Sequence, residues 1–174
     1  MSERNLWLIT EIPGFTPQIG RLVSMMNYVR STTLSDVAGL GVEELDYLHD
    51  SRSNSIGTLL SHITAAEVGY QVAAFLGRGL DEEERQEWGA ALDLGESARR
   101  EIRGHELEYY VTRLERVRAK TLGELGLRTH QWLEERTDSL VTLARDKTAT
   151  MTQLANHCRL TRLRPTSGGP VELE

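Results

Sequence analysis

The sequence predicts an all-α protein: a four-helix bundle with long crossover connections and a disordered C-terminal tail. Three observations carry that expectation. Three long segments repeat apolar residues at steps of three and four, no segment shows strand-type alternation, and glycine or proline punctuates the segment ends. A chain of 174 residues can bury one substantial core unaided, so residues 1–165 read as a single domain and 166–174 as the tail.

The first helix opens at Thr16-Pro17, where threonine can cap free amides and proline suits the first turn. Ile19, Leu22, Val23, Met26, Val29, Thr33, Leu34 and Val37 make its stripe, and it stops near Gly39-Leu40-Gly41. Val42 to Asp50 follows as an acidic connector, with room for one helical turn over Glu43-Glu44-Leu45. The second helix starts after Asn54-Ser55 and buries Ile56, Leu59, Leu60, Ile63, Ala66, Tyr70, Ala73 and Ala74 before Gly77-Arg78-Gly79 ends it. Asp81 to Trp88 is highly polar and reads as a solvated connection anchored by one tryptophan.

The third helix has the clearest stripe: Leu107, Tyr110, Val111, Leu114, Val117, Thr121, Leu122 and Leu125. Arg128 to Asp138, with Trp132-Leu133, fits either a helical tail or a loop. A weaker fourth helix spans Thr148 to Arg164, and Pro165 with Ser167-Gly168-Gly169-Pro170 closes regular structure. Crossovers of roughly 20 residues exceed what a simple up-down hairpin needs.

A net charge of −6 argues against nucleic-acid binding, and Arg159, Arg162 and Arg164 read as solvated surface. No run of apolar residues is long enough to span a bilayer and the N-terminus lacks a signal-peptide pattern, which leads to a cytoplasmic expectation. Cys158 is the single cysteine, so an internal disulfide is impossible and a metal site would lean on histidine and carboxylates.

Of the five histidines, His49 lies in the acidic connector and reads as exposed. His105 has Glu101 four residues before it and Glu108 three after, a spacing shared by a ligand face and by a solvated charge pair; His130 with Glu134 is a similar case. His62 differs, because it lies at the margin of an apolar stripe. A buried imidazole must be either hydrogen bonded or metal bound. Glu67, five positions on, falls about 140° around the helix and reads as a structural contact rather than a co-ligand.

The stretch Thr58-Leu59-Leu60-Ser61-His62-Ile63-Thr64-Ala65-Ala66-Glu67 resembles the helix-two signature of the DinB-like (DinB/YfiT) metalloenzyme superfamily, L-x-x-H-[IL]-x-x-x-E. Ile102 to Tyr110, Arg118 to Leu122 and Trp132-Leu133 resemble the third-helix region of a domain-of-unknown-function branch, and the likeness covers residues 16 to 138. It implies a four-helix bundle holding a divalent metal, nickel or zinc, on a helix-two histidine and two ligands four apart on the last helix. It further implies a hydrolase or a thiol-dependent S-transferase, with a small thiol or other small molecule as substrate.

The family's last helix reads W-F-H-x-x-x-[DH]-E-x-x-H-R-G-Q-I-R-L. Setting His157 on its later histidine places Gln153 on the other ligand, so the implied metal set is His62, His157 and Gln153. Cys158-Arg159-Leu160 stands where Arg-Gly-Gln is usual, a departure that fits either drift or an altered reading frame. A neutral amide is a weak ligand beside carboxylate or imidazole. A second reading therefore stands beside the first: a metal-free bundle acting as a homodimerising or ligand-binding module.

Overall fold

The computed structural model describes residues 8–135, and every regular element within them is helical. The helices are α1 (Pro17–Val37), α2 (Val42–Leu45), α3 (Ile56–Gln71), α4 (Glu82–Asp93), α5 (Gly95–Glu101), α6 (Leu107–Gly126) and α7 (His130–Glu135), with a π-helical turn, Val72–Leu76, extending α3. The weak fourth helix expected over Thr148 to Arg164, the tail, Gln153, His157 and Cys158 all lie outside the described residues.

The three apolar stripes become α1, α3 and α6. Contacts along them give their directions. Val37, at the end of α1, shares a buried cluster with Leu45, with Ile56 at the start of α3 and with Tyr110 and Leu114 at the start of α6. Ile19, Val23 and Met26, early in α1, pack on Leu125, late in α6. Gln71, at the end of α3, bonds to Val117 and Thr121, farther along α6. So α1 runs antiparallel to the other two, while α3 and α6 run parallel.

Parallel neighbours need a connection that travels back the length of a helix, about 24 Å for 16 residues. Residues 77–106 make that return, and they do so with helical structure rather than as a solvated loop. This corrects the expectation for Asp81 to Trp88. Asp81 caps α4 through a reciprocal box in which its carboxylate accepts from the Glu84 amide (2.9 Å) and Glu84 accepts from its amide (2.9 Å). Trp88, 5% exposed, is the anchor, packing with Ala65, Ala91 and Val117. Two apolar positions suffice here because the caps, and not the stripe, start the helix.

Glu84 also accepts from Arg78 Nη1 (2.7 Å) and Nη2 (3.0 Å). The Arg78 bonds and the Asp81 amide hold its carboxyl down to about 2, from an ordinary 4.5. A depressed carboxyl contributes stability that is present above pH 4.5 and is lost as pH falls through about 2. Glu84→Gln is expected to flatten the thermal-melting midpoint against pH within that window; an unchanged acid limb would show that the pair adds nothing.

Local signals held in part. Ser55 caps α3, its hydroxyl accepting from the Thr58 amide (3.1 Å), and Gly77 ends the π-turn in the left-handed region at φ 67°. Thr16 precedes α1 but makes no cap bond, and its hydroxyl is buried without a partner among the described residues. The π-turn shifts the stripe, so Ala73, expected inside, is exposed while Val72 and Ala74 are buried. The Arg128 to Asp138 stretch contributes α7, whose Trp132 stacks on Phe75 at 5.6 Å between centroids.

Candidate functional site

His62 sits in the second turn of α3, placed by the Ser55 cap, and is half-buried. Its Nδ1 lies 2.9 Å from the carbonyl oxygen of Ala91. A carbonyl can only accept, so Nδ1 carries the hydrogen, and in the neutral ring Nε2 holds the lone pair. Ala91 is in the last turn of α4, where carbonyls have no intrahelical partner. The bond therefore serves two purposes: it satisfies the end of α4, and it selects the tautomer in which Nε2 can bind a metal.

Glu67, one turn and a half farther along, is 1% exposed and is the centre of a buried polar network. Arg118 grips it with two donors, Nε to Oε1 at 2.6 Å and Nη2 to Oε2 at 3.1 Å, and its Nη1 reaches the Met26 carbonyl of α1 at 3.1 Å. Arg30 Nη2 adds a third guanidinium contact to Oε2 at 3.1 Å. The Thr121 hydroxyl is 2.7 Å from Oε1 and 3.2 Å from the Val117 carbonyl; it has one proton, and the shorter bond to the carboxylate takes it. Gln71 then donates to that hydroxyl and to the Val117 carbonyl, both at 2.8 Å.

Two guanidiniums thus share one carboxylate. Burial, then the Arg118 charge, pushes Arg30 down to about 10, while Glu67 opposes the shift. Arg30 stays cationic at neutral pH but carries a desolvation cost that Arg118, with its three hydrogen bonds, offsets far better. The network ties α1, α3 and α6 together at one level. Its bonds fix how the three helices pack against one another.

Glu67 fills the structural role that its angular offset from His62 predicts. Arg30, Arg118, Gln71 and Thr121 as its partners were not legible. A signal for Arg118 did exist, since it lies four residues after Leu114 and three before Thr121, on the buried stripe of α6. Nothing local marked which carboxylate it would meet.

The other described histidines are dispersed. His49 is exposed in the α2–α3 connection. His130 Nε2 is 3.7 Å from Glu134 Oε1 on an open surface. His105 does not share a helix face with Glu101 and Glu108, because residues 102–106, with Gly104 at φ 78°, separate α5 from α6. His105 instead stacks on Tyr109 at 3.8 Å. Among the described residues no three His, Cys, Asp or Glu side chains come together as a metal group. Of the implied set, only His62 is within the described residues; His157 and Gln153 lie outside them.

No family model matches the chain, and no curated protein matches its sequence.

Proposed function

We propose that the chain is a DinB-like four-helix bundle that binds a divalent metal, nickel or zinc, through His62 Nε2, with His157 and Gln153 as the remaining protein ligands. The supporting observation is the 2.9 Å bond from His62 Nδ1 to the Ala91 carbonyl. Metal-ligating histidines characteristically donate their second nitrogen to a carbonyl or carboxylate, which fixes ring and tautomer. A divalent ion with an open position brings a bound water or thiol toward deprotonation at neutral pH. On this reading the protein is a metal-dependent hydrolase or thiol S-transferase acting on a small molecule. No described helix is long and apolar enough to cross a membrane.

The test is metal content. Full-length protein loaded with zinc or nickel and desalted is expected to retain about one ion per chain by plasma emission analysis, as a single three-ligand site would. His62→Ala is expected to lose it, with a melting curve to show that the variant folds. Substoichiometric metal that is indifferent to His62→Ala would overturn the proposal.

A second reading draws on the same bond. If capping α4 is the whole task of His62, the chain is a metal-free homodimerising or ligand-binding bundle. Then His62→Ala would lower the melting temperature of metal-stripped protein by as much as that of metal-loaded protein. Under the metal reading the loaded form loses more, because bound ligand adds stability to the folded state alone.

A further inference from the structure

A polar cleft of about 180 Å³ opens between α4, the end of α5 and the first half of α6. Its chemistry is concentrated in Trp88, His105, Tyr109, Arg113, Glu87 and Glu101. The Arg113 guanidinium is held against two rings, 4.5 Å from the centroid of Trp88 and 5.5 Å from that of Tyr109. Trp88 is itself buried, and His105 stacks on Tyr109. Arg113 is therefore pre-oriented by packing, with little conformational freedom left to lose on binding.

Its hydrogen-bonding capacity is largely unspent. Among the described residues the one bond from its guanidinium reaches Glu87 Oε1 at 3.5 Å, at the outer limit for such a contact, and that glutamate is half exposed and also within 4.0 Å of Arg116. A weak, solvated pair of this kind is readily exchanged for a better acceptor. Glu101, the second acid of the cleft, is already engaged by the Ser97 hydroxyl (2.6 Å) and by Arg100 (3.1 Å). Glu101 thus has a cation of its own in Arg100, while Glu87 is shared at long range between Arg113 (3.5 Å) and Arg116 (4.0 Å), so the Arg113 charge is only weakly matched.

We propose that this cleft binds a small, flat monocarboxylate. Its carboxylate lies on the Arg113 fork, and its apolar body lies against the Tyr109, His105 and Ile102 side chains. The planar fork matches a carboxylate bidentately, which a point charge does not. The two glutamates disfavour a dianion. The volume, below the roughly 300 Å³ at which pockets for drug-sized molecules begin, suits a ligand of about one ring with its acid group. This inference does not rest on the metal reading, and neither His62 nor a bound ion takes part in it.

Full-length protein is titrated with benzoate by calorimetry and by saturation-transfer NMR, with benzamide and inorganic phosphate as comparisons. Benzoate is expected to bind, benzamide about tenfold or more weakly, and phosphate no better than benzamide, since charge and planarity are both read. Arg113→Lys, which keeps the charge and loses the fork, is expected to weaken benzoate by about tenfold. Glu87→Gln, which removes the competing acceptor at an exposed position, is expected to tighten it severalfold. Equal binding of benzamide, preference for phosphate, absence of benzoate binding at millimolar concentration, or weaker binding in Glu87→Gln would each overturn the proposal. Because Glu87→Gln gains affinity, a misfolded Arg113→Lys does not rescue a wrong idea.

Discussion

Glu67→Ala is expected to destabilise the protein by about 3–5 kcal/mol, because removing one partner of a buried ion pair leaves the other charge uncompensated. Here it leaves two, Arg118 and Arg30, both close to fully buried around an alanine. The Thr121 hydroxyl, to which Gln71 donates, loses the acceptor that orders it as well. For a domain of this size the loss corresponds to a fall of roughly 10 °C or more in melting temperature. The arginines are expected to differ. Arg118→Met removes both bonds to Glu67 and the bridge to the Met26 carbonyl, and should approach the cost of Glu67→Ala. Arg30→Met removes one bond and a desolvated surplus charge, so its cost should stay near about 1 kcal/mol. Urea denaturation of the three variants measures the order. A Glu67→Ala protein within 1 kcal/mol of wild type would mean that water reaches the network and solvates the arginines.

Gly57→Ala should rank next. A methyl on Gly57 would meet the Tyr110 hydroxyl oxygen at 2.5 Å, its Cζ at 2.8 Å and the Leu45 carbonyl at 3.4 Å. Tyr110 is 1% exposed and locked among Val37, Leu45, Ile56 and Leu114, so the ring cannot swing away. Overpacking of this kind typically costs about 1–3 kcal/mol. Tyr110→Phe should cost little or even stabilise. Its hydroxyl is buried with no hydrogen-bond partner among the described residues, so no bond is lost with it. Burial, with Asp46 nearby, pushes the phenol well above its ordinary 10. A raised acid contributes stability that is full below pH 10 and is lost as pH rises through the folded value. Wild type should therefore lose stability in strong alkali more steeply than Tyr110→Phe. Combining Gly57→Ala with Tyr110→Phe should recover part of the loss, since the closest clash is with the deleted oxygen. Additive losses in the double variant would place the damage elsewhere than at the ring.

Both effects concern contacts between α3 and α6, and both show where local reading stops. Gly57 is an unremarkable second residue of a helix until Tyr110, 53 positions later, is laid against it. The polar run Asp81 to Trp88 reads as connection because its apolar stripe is only Trp88 and Ala91 wide. Its helix depends on the Asp81–Glu84 box, a signal present in the sequence but outweighed by the count of charges. The spacing of Glu101, His105 and Glu108 suggests one helix face only while the helix is assumed continuous, and the break at residues 102–106 removes that premise.

Local patterns of residues were enough for the helical class, the extents of α1, α3 and α6, the Ser55 cap, the stop at Gly77 and the structural role of Glu67. All of these follow from the 3.6-residue repeat and from side chains that act on backbone within one turn of themselves. The tertiary structure alone decided that α3 and α6 run parallel, that two arginines rather than one close on Glu67, and that His62 Nδ1 is spent on a carbonyl 29 residues away. Helix periodicity specifies which face is buried but not what it is buried against. That choice is made by the summed fit of distant surfaces, to which no short stretch of chain has access.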